Sequence, residues 1–284
     1  LPYQKNDFYK ILKEMAPMPV TIRLLDPPLH EFLPSQKNKT LIESLAKNMN
    51  LSSKEIQNRI IDLFEINPML GHRGCRLAVS FPEITEMQVK AIFSACAKLM
   101  KKNITPNPEI MIPLISTVGE FKNQKNVVEK IAKKLNKKFN VKIKYKLGTM
   151  IELPRACLTA DQIAEEADFF SFGTNDLTQT TFGFSRDDIG SFIQDYFDNS
   201  ILLDDPFKTI DQNGVGKLVK MATQKGKKAK PKLKIGICGE HGGDPKSIYF
   251  FDNINLDYVS CSPYRVPIAR LSAAKNSIRT KRKL

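Results

Sequence analysis

The stretch Phe169-Phe-Ser-Phe-Gly-Thr-Asn-Asp-Leu177 constrains the fold more than any other. It opens as a short apolar run, as a strand covered on both faces does. It then changes into Gly173-Thr174-Asn175-Asp176, small and oxygen-bearing residues that form turns. A parallel strand whose C-terminal end becomes a polar loop is where an α/β fold places its chemistry. Gly148-Thr-Met-Ile-Glu152 repeats the design one helix earlier. Acidic side chains at the ends of successive parallel strands share one rim, where they can hold a hard cation such as Mg²⁺. Singly, each motif reads better as an Asx turn or a solvated strand end; together they favour the metal.

Seven segments read as strands, near residues 20, 75, 110, 147, 170, 235 and 259, each followed by helix-like sequence. Alternation of this kind means parallel strands with helical crossovers. Seven strands approach the eight of a (β/α)₈ TIM-type barrel, and 284 residues suffice for one such barrel as a single domain over 1–284. A doubly wound sheet is the alternative, but polar residues follow most strands rather than one switch point. Helices are expected over Asp7–Met15, Thr40–Met49, from Leu51, from Thr85 to Lys101, over Glu120–Phe139, from Thr159 and over Pro267–Ile278. Ser52 with Glu55 forms a capping box, and Thr85 and Thr159 are placed as caps.

Composition narrows the class. No apolar run could span a bilayer, and no signal peptide is visible. Five scattered cysteines form no CxxC pair, which points to a reducing compartment, by default the cytoplasm, with organellar import left open. The net charge is +14, with lysines grouped at 133–138, at 225–234 and in the Arg279–Lys283 tail. Aromatics are not interleaved with them, so solvated helix faces and a loop fit better than a nucleic-acid surface. The final Arg-Lys-Leu is too loose a match to a peroxisomal address to use.

At the strand ends stand Arg23, Arg73, Glu152, Asn175-Asp176 and Cys238. Guanidinium groups with two carboxylates suit a small anion and a divalent metal. Arg23 and Arg73 are assigned to substrate, Arg76 to a structural salt bridge. Cys238 sits in Gly236-Ile-Cys-Gly-Glu-His-Gly-Gly243, where glycines admit a ligand closely and a thiol can donate a proton. His30, His72 and His241 lack zinc spacing and read as loop hydrogen-bonders.

Asp26-Pro-Pro-Leu-His-Glu-Phe32, Gly71-His-Arg-Gly-Cys-Arg76, Gly148-Thr-Met-Ile-Glu-Leu-Pro-Arg155, Phe170-Ser-Phe-Gly-Thr-Asn-Asp-Leu-Thr-Gln179, Gly236–Pro245 and Tyr258-Val-Ser-Cys-Ser-Pro263 follow one another in order. Together they resemble the phosphoenolpyruvate-utilising enzymes, and among these the C-terminal domain of the pyruvate, phosphate dikinases. The resemblance implies a barrel that binds phosphoenolpyruvate or pyruvate with Mg²⁺, Glu152 and Asp176 being the metal ligands. It implies Arg23 and Arg73 on phosphate and oxyanion, Gly173, Thr174 and Asn175 around the carboxylate, and Cys238 as the acid at C3. It also implies a homodimer, and partner domains carrying a phosphohistidine and an ATP-grasp site. The family's opening strand, with a further substrate arginine, is absent from the sequence, which therefore reads as a fragment of a longer enzyme. Asn255 replaces an expected glycine. A synthase- or enzyme I-like barrel is the second enzyme reading, and a basic nucleic-acid module the non-enzyme one.

Overall fold

The structure, a computed structural model, describes residues 1–65 and 67–281. The His30 side chain and the Arg282-Lys283-Leu284 tail lie outside the described residues. Six strands form one sheet among them: β1 (Pro19–Arg23), β2 (Asn107–Ile112), β3 (Lys146–Ile151), β4 (Phe169–Gly173), β5 (Lys234–Cys238) and β6 (Tyr258–Val259). All pairings are parallel and the order is sequential, β1-β2-β3-β4-β5-β6. A doubly wound sheet reverses its order at a switch point; here no reversal occurs, and the fold is α/β with its parallel sheet forming part of a barrel.

The strand expected near residue 75 is instead a helix, Gly74–Ser80, so seven expected strands become six. β1 pairs directly with β2, leaving no position between them for another strand. The five apolar-rich residues Cys75–Val79 are too few to distinguish a period of 2 from 3.6. Other boundaries also move. The first helix spans Pro2–Met15. The helix expected from Thr85 starts at Pro82, whose fixed φ suits a first helical position, and buried Thr85 donates its hydroxyl to Gln124 Oε1 at 2.9 Å. Thr159 does not cap either: its hydroxyl donates to the Arg155 carbonyl at 3.0 Å, between the helices Pro154–Leu158 and Ala160–Glu166. The Ser52–Glu55 capping box forms as expected, and a second one, Thr117 with Glu120, starts the helix Val118–Phe139. Asn255 takes the left-handed conformation that its expected glycine would have taken, with φ 59°.

Alternation along the strands separates two faces. Ile22, Ile110, Ile112, Leu147, Ile151, Phe170, Phe172, Ile235 and Ile237 belong to the main apolar core, which the crossover helices cover. The residues between them face the other way. Met111, Met150 and Phe169 pack there as a separate cluster with Cys238 against it. At the N-terminal end of this inner face lies a charged floor. Fully buried Glu109 accepts from Thr21 Oγ1 at 2.8 Å and pairs with Lys234 at 2.9 Å and Lys146 at 3.4 Å. Lys234 Nζ also stands 4.8 Å above the Tyr258 ring. Of the lysine-rich stretch 225–234, then, Lys234 is in the floor, and Lys227 pairs with Asp257 at 2.8 Å from the helix Val215–Ala229.

Candidate active site

At the C-terminal end the inner face changes character. β3 ends and Glu152 follows, 1% exposed, with Oε1 accepting the Leu114 N–H at 2.6 Å. Leu114 presents that N–H from the left-handed region, φ 58°, an uncommon conformation for a side chain of its size. The carboxylate fits only because the next strand ends in glycine: a Cβ on Gly173 would press on Glu152 and lie 2.7 Å from Met150 Sδ. Burial pushes the Glu152 carboxyl well above the ordinary range, and the nearby charges of Asp176 and Asp26 push it further.

Asp176 lies in the first turn of the helix Thr174–Phe182, where the macrodipole favours an anion. It accepts from Arg73 Nη1 at 2.9 Å. The same guanidinium donates through Nε to Asp26 Oδ1 at 3.2 Å and through Nη2 to Asp26 Oδ2. Arg23, at the end of β1 and half exposed, reaches Asp26 Oδ2 at 3.2 Å. Burial alone would lower the Arg73 pKa, but Asp26 and Asp176 outweigh it and hold the guanidinium above its ordinary value. Arg76 turns elsewhere, donating to the Gly71 carbonyl at 2.8 Å.

Asp26 is the member the sequence argument did not single out. It is 3% exposed and bridges both arginines. Gln88 fixes its approach by accepting the Leu25 N–H at 2.7 Å, and the Gly74 N–H donates to the Asp26 carbonyl at 3.0 Å. Its signal was visible: a carboxylate at a strand end, immediately before Pro27-Pro28.

Cys238 ends β5 in register with Gly173. Its Sγ–H donates to the Phe172 carbonyl at 3.6 Å. Burial raises the thiol pKa, and the charges of Glu152, Arg23 and Asp176 all reach the sulfur. Tyr258 completes this corner: burial pushes its hydroxyl up to about 12, and the hydroxyl oxygen is buried without a hydrogen-bond partner. Ser171 and Tyr258 are inward residues of β4 and β6 that a search for charged strand ends passes over. The other cysteines are also free; burial pushes Cys75, Cys96 and Cys157 up to about 12.

Thr174 and Asn175 lie beside Gly239, whose φ of 101° suits glycine. No side chain caps their helix, which leaves the first-turn N–H groups open. Asn175 Oδ1 is buried without a hydrogen-bond partner. His241 bonds Thr174 and the Pro206 carbonyl, and His72 Nε2 lies 2.9 Å from Ser80 Oγ, the loop roles expected of both. The structure thus gathers Arg23, Arg73, Glu152, Asp176 and Cys238 at one rim, beside the Gly173–Asn175 turn.

The sequence matches the family described as PEP-utilising enzyme, PEP-binding domain, over residues 2–278. It is 57% identical over 275 residues to "Pyruvate, phosphate dikinase, chloroplastic" of Flaveria trinervia and to "Pyruvate, phosphate dikinase 1, chloroplastic" of Arabidopsis thaliana. It is 54% identical over the same length to "Pyruvate, phosphate dikinase 2" of Zea mays. Each alignment covers 97% of this chain, but 29% of the first two relatives and 31% of the third. The chain therefore spans under a third of the length of these relatives.

Proposed function

The chain belongs to the PEP-utilising enzymes, as their PEP-binding domain, and on that premise we propose that it is the pyruvate/phosphoenolpyruvate site of a pyruvate, phosphate dikinase. The observation that carries this reading is the rim itself: two arginines, three carboxylates and a protonated thiol meet beside an uncapped helix start.

The chemistry moves a phosphoryl group between a phosphohistidine on another domain and the enolate oxygen of pyruvate. The P–N bond breaks as the O–P bond forms, or the reverse. Arg23 and Arg73 suit the phosphoryl oxygens and the enolate oxyanion, since each guanidinium donates in a fork. The Gly173-Thr174-Asn175 turn, at a helix start whose first N–H groups are open, suits the substrate carboxylate. Cys238, kept protonated by burial, gives its proton to C3 of the enolate and is left as thiolate. In the other direction the thiolate takes a methyl proton from pyruvate.

Glu152 and Asp176 are the residues that would hold Mg²⁺. Among the described residues no group of three or more His, Cys, Asp or Glu is arranged to hold a metal, but Mg²⁺ commonly uses one or two carboxylates and takes its other ligands from water and substrate. The donor set fits: a buried Glu152 crowded by two further carboxylates is relieved by a hard cation. When bound, the ion would neutralise charge developing on the enolate and phosphoryl oxygens.

We further place this sheet in a full (β/α)₈ barrel, a single domain over 1–284 apart from strands contributed elsewhere, working as a homodimer with ATP-grasp and phosphohistidine domains. Among the described residues no helix is long and apolar enough to cross a membrane. We put the activity in a reducing compartment, the cytoplasm or an organelle interior. The test is exchange of pyruvate methyl protons with solvent, followed by proton NMR in a protein carrying all its domains. The expected result is Mg²⁺-dependent exchange, abolished by Cys238→Ala. Exchange at the wild-type rate in Cys238→Ala would remove the thiol from the mechanism.

A further inference from the structure

His241 is wholly buried, and neither ring nitrogen is idle. Nε2 lies 2.9 Å from the Pro206 carbonyl and Nδ1 lies 2.6 Å from Thr174 Oγ1. A carbonyl can only accept, so Nε2 carries the proton. Burial disfavours a second proton on the ring. Nδ1 is then the acceptor, and the Thr174 hydroxyl donates to it. Nothing in the proposed chemistry uses this histidine.

Its place gives it a task. His241 sits on the same turn as Cys238, three residues on, and Thr174 begins the helix whose first N–H groups face the proposed carboxylate. The N-cap of this helix is Gly173, which has no side chain to satisfy those N–H groups. The imidazole fixes the Thr174 hydroxyl, the first side chain of the helix, through Nδ1. It also ties three separate pieces together: the thiol turn, the anion-binding turn and the segment around Pro206.

From this geometry we infer that His241 is a positioning residue, which acts through Thr174 to hold the helix start in register with Cys238. The inference rests on the proposed function, and deepens it by adding a residue that touches neither substrate nor metal. Its signature is non-additivity, because residues acting through one contact do not sum.

The probe is oxalate, a planar dianion shaped like the pyruvate enolate, titrated calorimetrically with Mg²⁺ present into the full-length protein. His241→Ala and Thr174→Val are each expected to weaken oxalate binding about tenfold. The double variant should be no weaker than either, and His241→Gln, whose amide can accept and donate, should recover most of the loss. Losses that multiply in the double variant, or wild-type binding by His241→Ala, would overturn the inference. So would a folded His241→Gln, judged by circular dichroism, that binds no better than Thr174→Val. Wild-type protein that fails to bind oxalate would count against the proposed function instead. The histidine is then judged by its ¹⁵N spectrum without ligand: a neutral Nε2–H ring whose Nδ1 signal shifts in Thr174→Val supports the inference, and an Nδ1–H or doubly protonated ring refutes it.

Discussion

Gly173→Ala should damage the site out of proportion to its one added methyl. The new Cβ would sit 2.7 Å from Met150 Sδ and 2.9 Å from Glu152 Cβ, and closer still to a Glu152 oxygen. Ordinary carbon contacts are about 3.5–4.0 Å, so the overlap is roughly 1 Å. Relief is difficult, because Met150 is held in the inner cluster and Glu152 by the Leu114 N–H. Overpacking of this kind costs about 1–3 kcal/mol, or roughly 2–10 °C in melting temperature for a protein of this size. Displacing the carboxylate by about 1 Å costs on the order of 10²-fold in rate where the group is catalytic. Thermal melts and pyruvate proton exchange measure the two effects separately. Gly119→Ala is the control: its Cβ would meet only Thr117 Oγ1, at 3.7 Å, and helix propensity should leave it neutral or slightly stabilising. A Gly173→Ala protein that melts and exchanges like wild type would refute the packing argument around Glu152.

Two further outcomes follow from the floor and the thiol. Glu109→Gln should destabilise by about 1–3 kcal/mol at pH 7, since it removes the charge that Lys234 and Lys146 share. Burial would raise the Glu109 carboxyl, but the Lys234 and Thr21 hydrogen bonds and the lysine charges hold it below its ordinary 4.5. A group lowered by folding stabilises above its unfolded pKa and ceases to do so as pH falls through the folded one. The gap between wild type and Glu109→Gln should therefore close below about pH 4.5, and a gap unchanged in melts from pH 7 to 3 would contradict this. Cys238, raised above its ordinary 9.0, should be alkylated by iodoacetamide more slowly at pH 8 than the same residue in denatured chain. Peptide mapping showing faster modification in the folded protein would contradict the assignment of a half-buried, protonated thiol.

Much of the rim was legible because parallel strands carry their chemistry at C-terminal ends, where apolar runs stop at Glu152, Asp176 and Cys238. Capping at Ser52 was legible because both partners lie within four residues. The helix at Gly74–Ser80 was not, since only the direct pairing of β1 with β2 excludes a strand there. Thr85 and Thr159 look like caps locally, but long-range partners or a preceding turn claim their hydroxyls. Asp26 was legible as a carboxylate just before Pro27-Pro28, whereas Ser171 and Tyr258 become visible only once alternation is assigned to an inner face, which needs the sheet.

The central claim is that Glu152 and Asp176 hold one divalent ion at the rim where Cys238 opens. Titration of Mn²⁺ in place of Mg²⁺, followed by electron paramagnetic resonance with oxalate present, tests it most directly. One ion per chain should bind, and either Glu152→Gln or Asp176→Asn should abolish that binding. One ion held as tightly by both variants as by wild type would contradict the account.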